Sequence, residues 1–221
     1  MAIKFFKKRN KGKAAAAAED EGIASDKAAT NDEAYYYAGL IVTTIAVSPK
    51  DAADGSKVTF NEKDGNGEDA VFLKEIKMTS DGVFEATKVS VEEAKEIANN
   101  GFGAKTSTPL FIVHGFDVEP SSSLGYNYGN FKGDKKYYPV PVVWASEGNK
   151  ALYFEDQNEN ALGAGRALNA LVNFIPNETF PRKSLLMHSM GNHAVFNGAC
   201  ANGTPDVQFE NIFMVAAVSP L

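Results

Sequence analysis

The chain has 221 residues, 44% of them hydrophobic, and a formal net charge of −6. That size and composition suit one α/β domain with attachments and can bury a sizeable core. The acidic balance argues against a nucleic-acid binder, which would present a basic face to the phosphates. The lone cysteine, Cys200, cannot form an internal disulfide, so nothing in the cysteine content implies an oxidising compartment.

Residues 1–33 hold a basic cluster (Lys4, Lys7, Lys8, Arg9), an alanine run from Ala14 to Ala18 and then Glu19, Asp20 and Glu21. This stretch has too little apolar surface to offset its ordering entropy, so a low-complexity, disordered tail is expected. It has no apolar stretch of the kind a secretory signal needs. The apolar run from Tyr35 to Val47 is shorter than the roughly 20 residues that span a bilayer and reads as a buried strand. No transmembrane segment is expected, and the default is a soluble, cytoplasmic protein. The sequons at Asn177 and Asn202 carry little weight in that setting.

Residues 34–104 read as a small β-rich lead-in. Strands are expected over 40–47, 57–61, 71–78 and 83–89. The turn Lys63 to Asp69 alternates acidic and amide residues like a calcium loop, but it lacks the glycine and glutamate such a loop requires, so a plain turn is expected. Ser90-Val91-Glu92-Glu93 has the capping-box pattern, which predicts a short helix to about Asn99, closed by Asn100-Gly101.

From Thr108 the pattern changes to alternating strands and helices, and residues 105–221 read as an α/β core. Continuous apolar runs at 110–113, 140–144, 183–188 and 211–218 suit strands buried on both faces of a parallel sheet. Helical spacing of Ala161, Leu162, Leu168, Leu171, Val172 and Ile175 predicts a helix over about 158–174, and a second helix is expected over 192–201. Arg166 on the first of these is expected to lay its stem over apolar surface. Strand–helix alternation of this kind specifies a layered α/β architecture.

The strongest chemical signal is Ser184-Leu185-Leu186-Met187-His188-Ser189-Met190-Gly191-Asn192. An apolar strand runs into a serine, with glycine two residues later and helix-compatible sequence beyond. Such an elbow, usually written G-x-S-x-G, lifts a serine hydroxyl to the top of a sheet beside the positive end of a helix. Met187 stands where the first glycine is usual. The plainer reading is a serine that caps a helix. A second signal lies some seventy residues earlier, where the strand Phe111-Ile112-Val113 ends in His114-Gly115-Phe116. A turn at that place can supply a second backbone donor to an oxyanion. Taken alone, His114 is more often a structural histidine that bonds its own loop.

Together these residues resemble the α/β-hydrolase superfamily, in particular an esterase/lipase-like group of poorly characterised serine hydrolases. The pattern is strand-His-Gly-Phe at 113–116, Trp-Ala-Ser-x-Gly at 144–148 and His-Ser-Met-Gly-Asn at 188–192. The likeness covers residues 108–221, about half the chain. It implies a mostly parallel sheet flanked by helices, with its C-terminal strands missing. It also implies Ser189 as nucleophile, the amides of Phe116 and Met190 as oxyanion donors, and His114, Gly115, His188 and Gly191 as the supporting turn. The substrate would be a small molecule with an ester- or thioester-type acyl bond, with neither cofactor nor metal. Trp144 is equally read as a core aromatic.

In such enzymes the acid and base follow the serine. Of the three histidines, His114 precedes it, and strand alternation should turn His188 away from it. His193 would have to fold back over it. No acid follows the 211–218 strand before Leu221. Three explanations stand open. The sequence is a truncated form of a full enzyme, or a non-catalytic scaffold that pairs its open sheet edge with a protein partner, or an enzyme that uses His193 with Asp117 or Glu119.

Overall fold

The computed structural model describes residues 35–61, 65–100, 108–116, 118–131, 134, 136–146, 160–161, 182–199 and 209–216. The tail 1–33, Asp117, Glu147, Gly148, nearly all of the helix expected over 158–174 with Arg166, both sequons, Cys200 and residues 217–221 lie outside them.

The strands are β1 (Tyr35–Tyr37), β2 (Ile41–Ile45), β3 (Ser48–Pro49), β4 (Lys57–Asn61), β5 (Asn66–Met78), β6 (Val83–Val89), β7 (Thr108–Val113), β8 (Tyr137–Val143), β9 (Ser184–His188) and β10 (Asn211–Val215). They form one sheet in the order β10-β9-β7-β8-β2-β5-β6-β4-β3, with β1 beside β5. Pairing is parallel from β10 through β9, β7 and β8 to β2, and antiparallel from β2 through β5, β6 and β4 to β3.

This corrects the expected fold class. The sheet is mixed rather than mostly parallel, strands outweigh helices among the described residues, and the β-rich lead-in continues the same sheet as the strands that follow it. The reason lies in β2. All five of its residues are buried, as befits a central strand. A strand buried on both faces reads as an unbroken run whether its neighbours are parallel or antiparallel, so the sequence pattern does not distinguish the two. β2 has one neighbour of each kind.

The run Tyr35 to Val47 breaks at 38–40 into β1 and β2, both of which pair with β5. β5 carries one extra residue between Lys74 and Lys77 relative to β6, and Glu75 there has φ 55°. Such a bulge bends a strand and strengthens its twist. Tyr37 is buried beside the break, and a side chain at Gly39 would meet its ring at 2.6 Å.

Three helices are described: α1 (Val91–Asn100), α2 (Pro120–Phe131) and α3 (Met190–His193), the last continuing as a π-helical turn over Ala194–Ala199. α1 begins as expected, with the Ser90 hydroxyl accepting the Glu93 N–H at 3.1 Å. Ala94 and Ala98 of α1 and Ala194 join a core with Phe111, Val113, Val140, Trp144, Leu185 and Met187. Leu124 of α2 belongs to a second core with Tyr37, Ile41, Ile45, Phe60, Leu73 and Phe84. The sheet therefore buries residues on both faces.

The seam between the two halves is short, since β2 and β8 align only at Val42–Val142 and Thr43–Val143. Thr43 reinforces it. Its hydroxyl donates to the Val143 carbonyl at 2.9 Å and accepts the Ile45 N–H at 3.1 Å, fully buried. Thr43→Val keeps the shape but leaves both backbone groups without that partner, and it should lower the unfolding free energy by about 1–3 kcal/mol. Thr43→Ser should retain most of the stability. Denaturant titration of the two variants checks this, and equal losses would contradict it.

Candidate active site

The site forms where β9 ends. Ser189 follows His188 with φ 49° and ψ −121°. These are the angles of the first central residue of a type II′ turn, a place that favours glycine. Holding a side-chain-bearing residue there costs on the order of 1–3 kcal/mol and requires surroundings that over-determine it. Three contacts do so. The Ser189 N–H donates to the Val215 carbonyl of β10 at 2.9 Å, and the Ser189 carbonyl accepts the Asn192 N–H at 3.0 Å. The Asn192 side chain closes the bend, its Nδ2 donating to the carbonyls of Ser189 at 2.9 Å, Met187 at 3.3 Å and Val215 at 3.4 Å. Three acceptors around one atom identify that atom as the amide nitrogen. Its Oδ1 is buried without a hydrogen-bond partner. Such a group is kept at a cost, which marks Asn192 as a geometric clamp. The sequence pattern contains Asn192, but nothing in its local sequence signals this role.

Both glycines of the pattern are explained by crowding. A Cβ on Gly191 would lie 2.6 Å from the Val113 carbonyl oxygen and 2.7 Å from that of His114. A Cβ on Gly115 would lie 2.8 Å from the Ser189 Cβ and 3.0 Å from His188 Nδ1. The bend after β9 and the turn after β7 thus press backbone to backbone. The left-handed angle of the bend belongs to Ser189, and Gly191 is needed for close approach. Met187 fits at the position usually held by glycine because its side chain is buried in the core with Trp144 and Val113.

The two sequence signals therefore meet. Ser189 and His188 are partly exposed, while Met190, Gly191, Asn192 and His193 are buried. Phe116, partly buried, packs against the core that Met190 joins. Glu119 is exposed just before α2. His188 departs from expectation. Side chains alternate only while the backbone stays extended, and the positive φ at Ser189 ends that regime. Both side chains accordingly converge on Gly115.

His114 is structural, as its plainer reading has it. It is buried, stacks on Trp144 with ring centres 5.0 Å apart, and accepts the Trp144 backbone N–H at Nε2 over 3.1 Å. An N–H can only donate, so the ring proton is on Nδ1, which bonds the Gly115 carbonyl at 2.9 Å. The Trp144 indole N–H donates in turn to the His114 carbonyl at 3.0 Å. Trp144, fully buried, is both core aromatic and brace, tying the end of β8 to the turn after β7. Both His114 nitrogens are engaged, which removes it as a base. Among the described residues no group of three His, Cys, Asp or Glu gathers to hold a metal ion.

Burial pulls the His114 pKa down to about 4, against the bond to the Gly115 carbonyl, which raises it. Burial also lowers His188. The unfolded chain takes up protons near the ordinary imidazole value of ~6.5, which the folded chain refuses. Stability is thus full above that pH and declines as pH falls toward 4, by up to about 1.4 kcal/mol per pH unit for His114, with His188 acting in the same direction. In His114→Gln the decline between pH 6.5 and 4 should be shallower, from a lower starting stability. Denaturant melts across that range test this, and an unchanged slope would contradict it. Compared with protein families, curated proteins and solved structures, the chain has no match.

Proposed function

We infer that the chain is a serine hydrolase that cleaves an ester- or thioester-type acyl bond of a small-molecule substrate through Ser189. The observation that carries this reading is the strained backbone of Ser189 at a bend packed against Gly115. A serine that merely capped a helix would use its hydroxyl to bond a helix amide and would need no left-handed φ, whereas Ser189 makes no side-chain cap bond. Strain held in place by a clamp and two crowded glycines is what presenting a nucleophile requires.

In this reading the Ser189 oxygen attacks the acyl carbon. The amides of Phe116 and Met190 stabilise the oxyanion, Met190 being the first residue of a helix and so lacking an intrahelical acceptor for its N–H. Gly115 and Gly191 set the spacing of the two turns, and the His114–Trp144 brace holds the first of them. The likeness of the 113–116 and 188–192 segments to serine hydrolases supports the chemistry. No helix among the described residues is long and apolar enough to cross a membrane, and an intracellular setting is proposed on the cysteine content alone.

A second reading, a catalytically inactive scaffold, is favoured by a different observation. Ile212 and Met214 of β10 are more than half exposed, on the strand that ends the sheet order. Large exposed apolar side chains on a terminal strand are a liability that partner binding relieves.

A fluorophosphonate probe separates the two. Covalent labelling at Ser189, mapped by mass spectrometry and abolished in Ser189→Ala, is the expected result. A folded wild-type chain that the probe leaves unmodified would end the hydrolase reading and favour the scaffold.

A further inference from the structure

We propose that His188 is the general base for Ser189, an inference that rests on Ser189 being the nucleophile. Three observations converge on it. The first is position. His188 Nδ1 and the Ser189 Cβ each lie within 3.0 Å of one point, the place a Cβ on Gly115 would occupy. The imidazole and the serine side chain therefore share one small volume, open only because residue 115 is glycine.

The second is availability. His114 spends both ring nitrogens on backbone groups, and His193 is 9% exposed within α3. His188 is only half-buried, and no described residue hydrogen-bonds its ring. A ring left unengaged beside a reactive position, within reach of solvent, is free to accept a proton from a neighbour.

The third is protonation state. Burial favours the neutral form of the ring, so a lone pair is present near neutral pH, as a base requires. The arrangement departs from triads in which the base comes from a distant loop. Here the base precedes the nucleophile in the chain, and the left-handed bend at Ser189 brings the two side chains together.

The step balances without any further reagent. The Ser189 oxygen forms a bond to the acyl carbon as its proton passes to a His188 ring nitrogen. The acyl–oxygen or acyl–sulfur bond then breaks, and the imidazolium returns the proton to the leaving group. Water repeats the sequence on the acyl-serine, again losing a proton to His188, and releases the acid. With a fluorophosphonate the Oγ–P bond forms, the P–F bond breaks, fluoride leaves and His188 takes the proton.

The test is the rate of fluorophosphonate labelling of the full chain, measured for the wild type, His188→Gln and His193→Gln. A loss of about 100-fold or more in His188→Gln, with His193→Gln close to the wild type, is expected. Labelling of His188→Gln at the wild-type rate would overturn the proposal and leave the nucleophile assignment standing. A wild type that does not label removes both. Should His188→Gln fail to fold, the folded wild type is treated with diethyl pyrocarbonate, which reaches the half-exposed His188 before the two buried histidines. Loss of labelling in step with modification mapped to His188, and its return with hydroxylamine, is the supporting result. Full labelling of protein modified at His188 is the contrary one.

Discussion

Where β7 and β9 end, two turns come so close that neither Gly115 nor Gly191 could carry a side chain without displacing backbone or the Ser189 Cβ. Every other feature of the site depends on this contact. It forces the chain after His188 to bend at once, and the bend falls on a serine in a conformation that suits glycine. It also brings Gly191 against the His114 carbonyl, which the Trp144 indole N–H holds in place. The Asn192 amide secures the other side, drawing three carbonyls from β9, the bend and β10 around one nitrogen.

The sheet explains how such a contact is sustained. β7 and β9 are adjacent and parallel, so both deliver their carboxyl ends to the same edge. Functional groups in parallel sheets gather there because the loops that leave the strands are free of the pairing constraint. β8, β2 and the antiparallel half add area on the far side, and each face carries a core that described helices join. Among the described residues, none of the antiparallel half belongs to the site, and β5 makes β2 an interior strand rather than an edge.

Much of this was legible in the sequence, and the physical reasons divide the successes from the failures. β4 and β6 have the bounds the apolar alternation implied, and the Ser90 capping box starts α1 where expected, because these signals are local. The meeting of the 113–116 and 188–192 segments was also anticipated, since paired turn signals at strand ends constrain each other. Strand direction was not legible. The fully buried β2 has the same composition whichever way its neighbours run. α2 was missed because its glycines at 125 and 129 and its serines at 121–123 weaken helix propensity, and only Pro120 at its first position signals the start. The placement of His188 is not legible for a different reason: strand alternation holds only up to the point where the left-handed φ of Ser189 cancels it. Asn192 needed coordinates, because its three acceptors are brought together by two strands and a bend.

The account stands or falls on strain at one residue. Replacing Ser189 by glycine should relieve the cost of its left-handed angle, so thermal or denaturant unfolding should find Ser189→Gly more stable than both Ser189→Ala and the wild type, by on the order of 1 kcal/mol or more. A glycine variant less stable than the alanine variant, as glycine is at an ordinary right-handed helical position, would show that residue 189 is unstrained and that the bend at the heart of the site is not there.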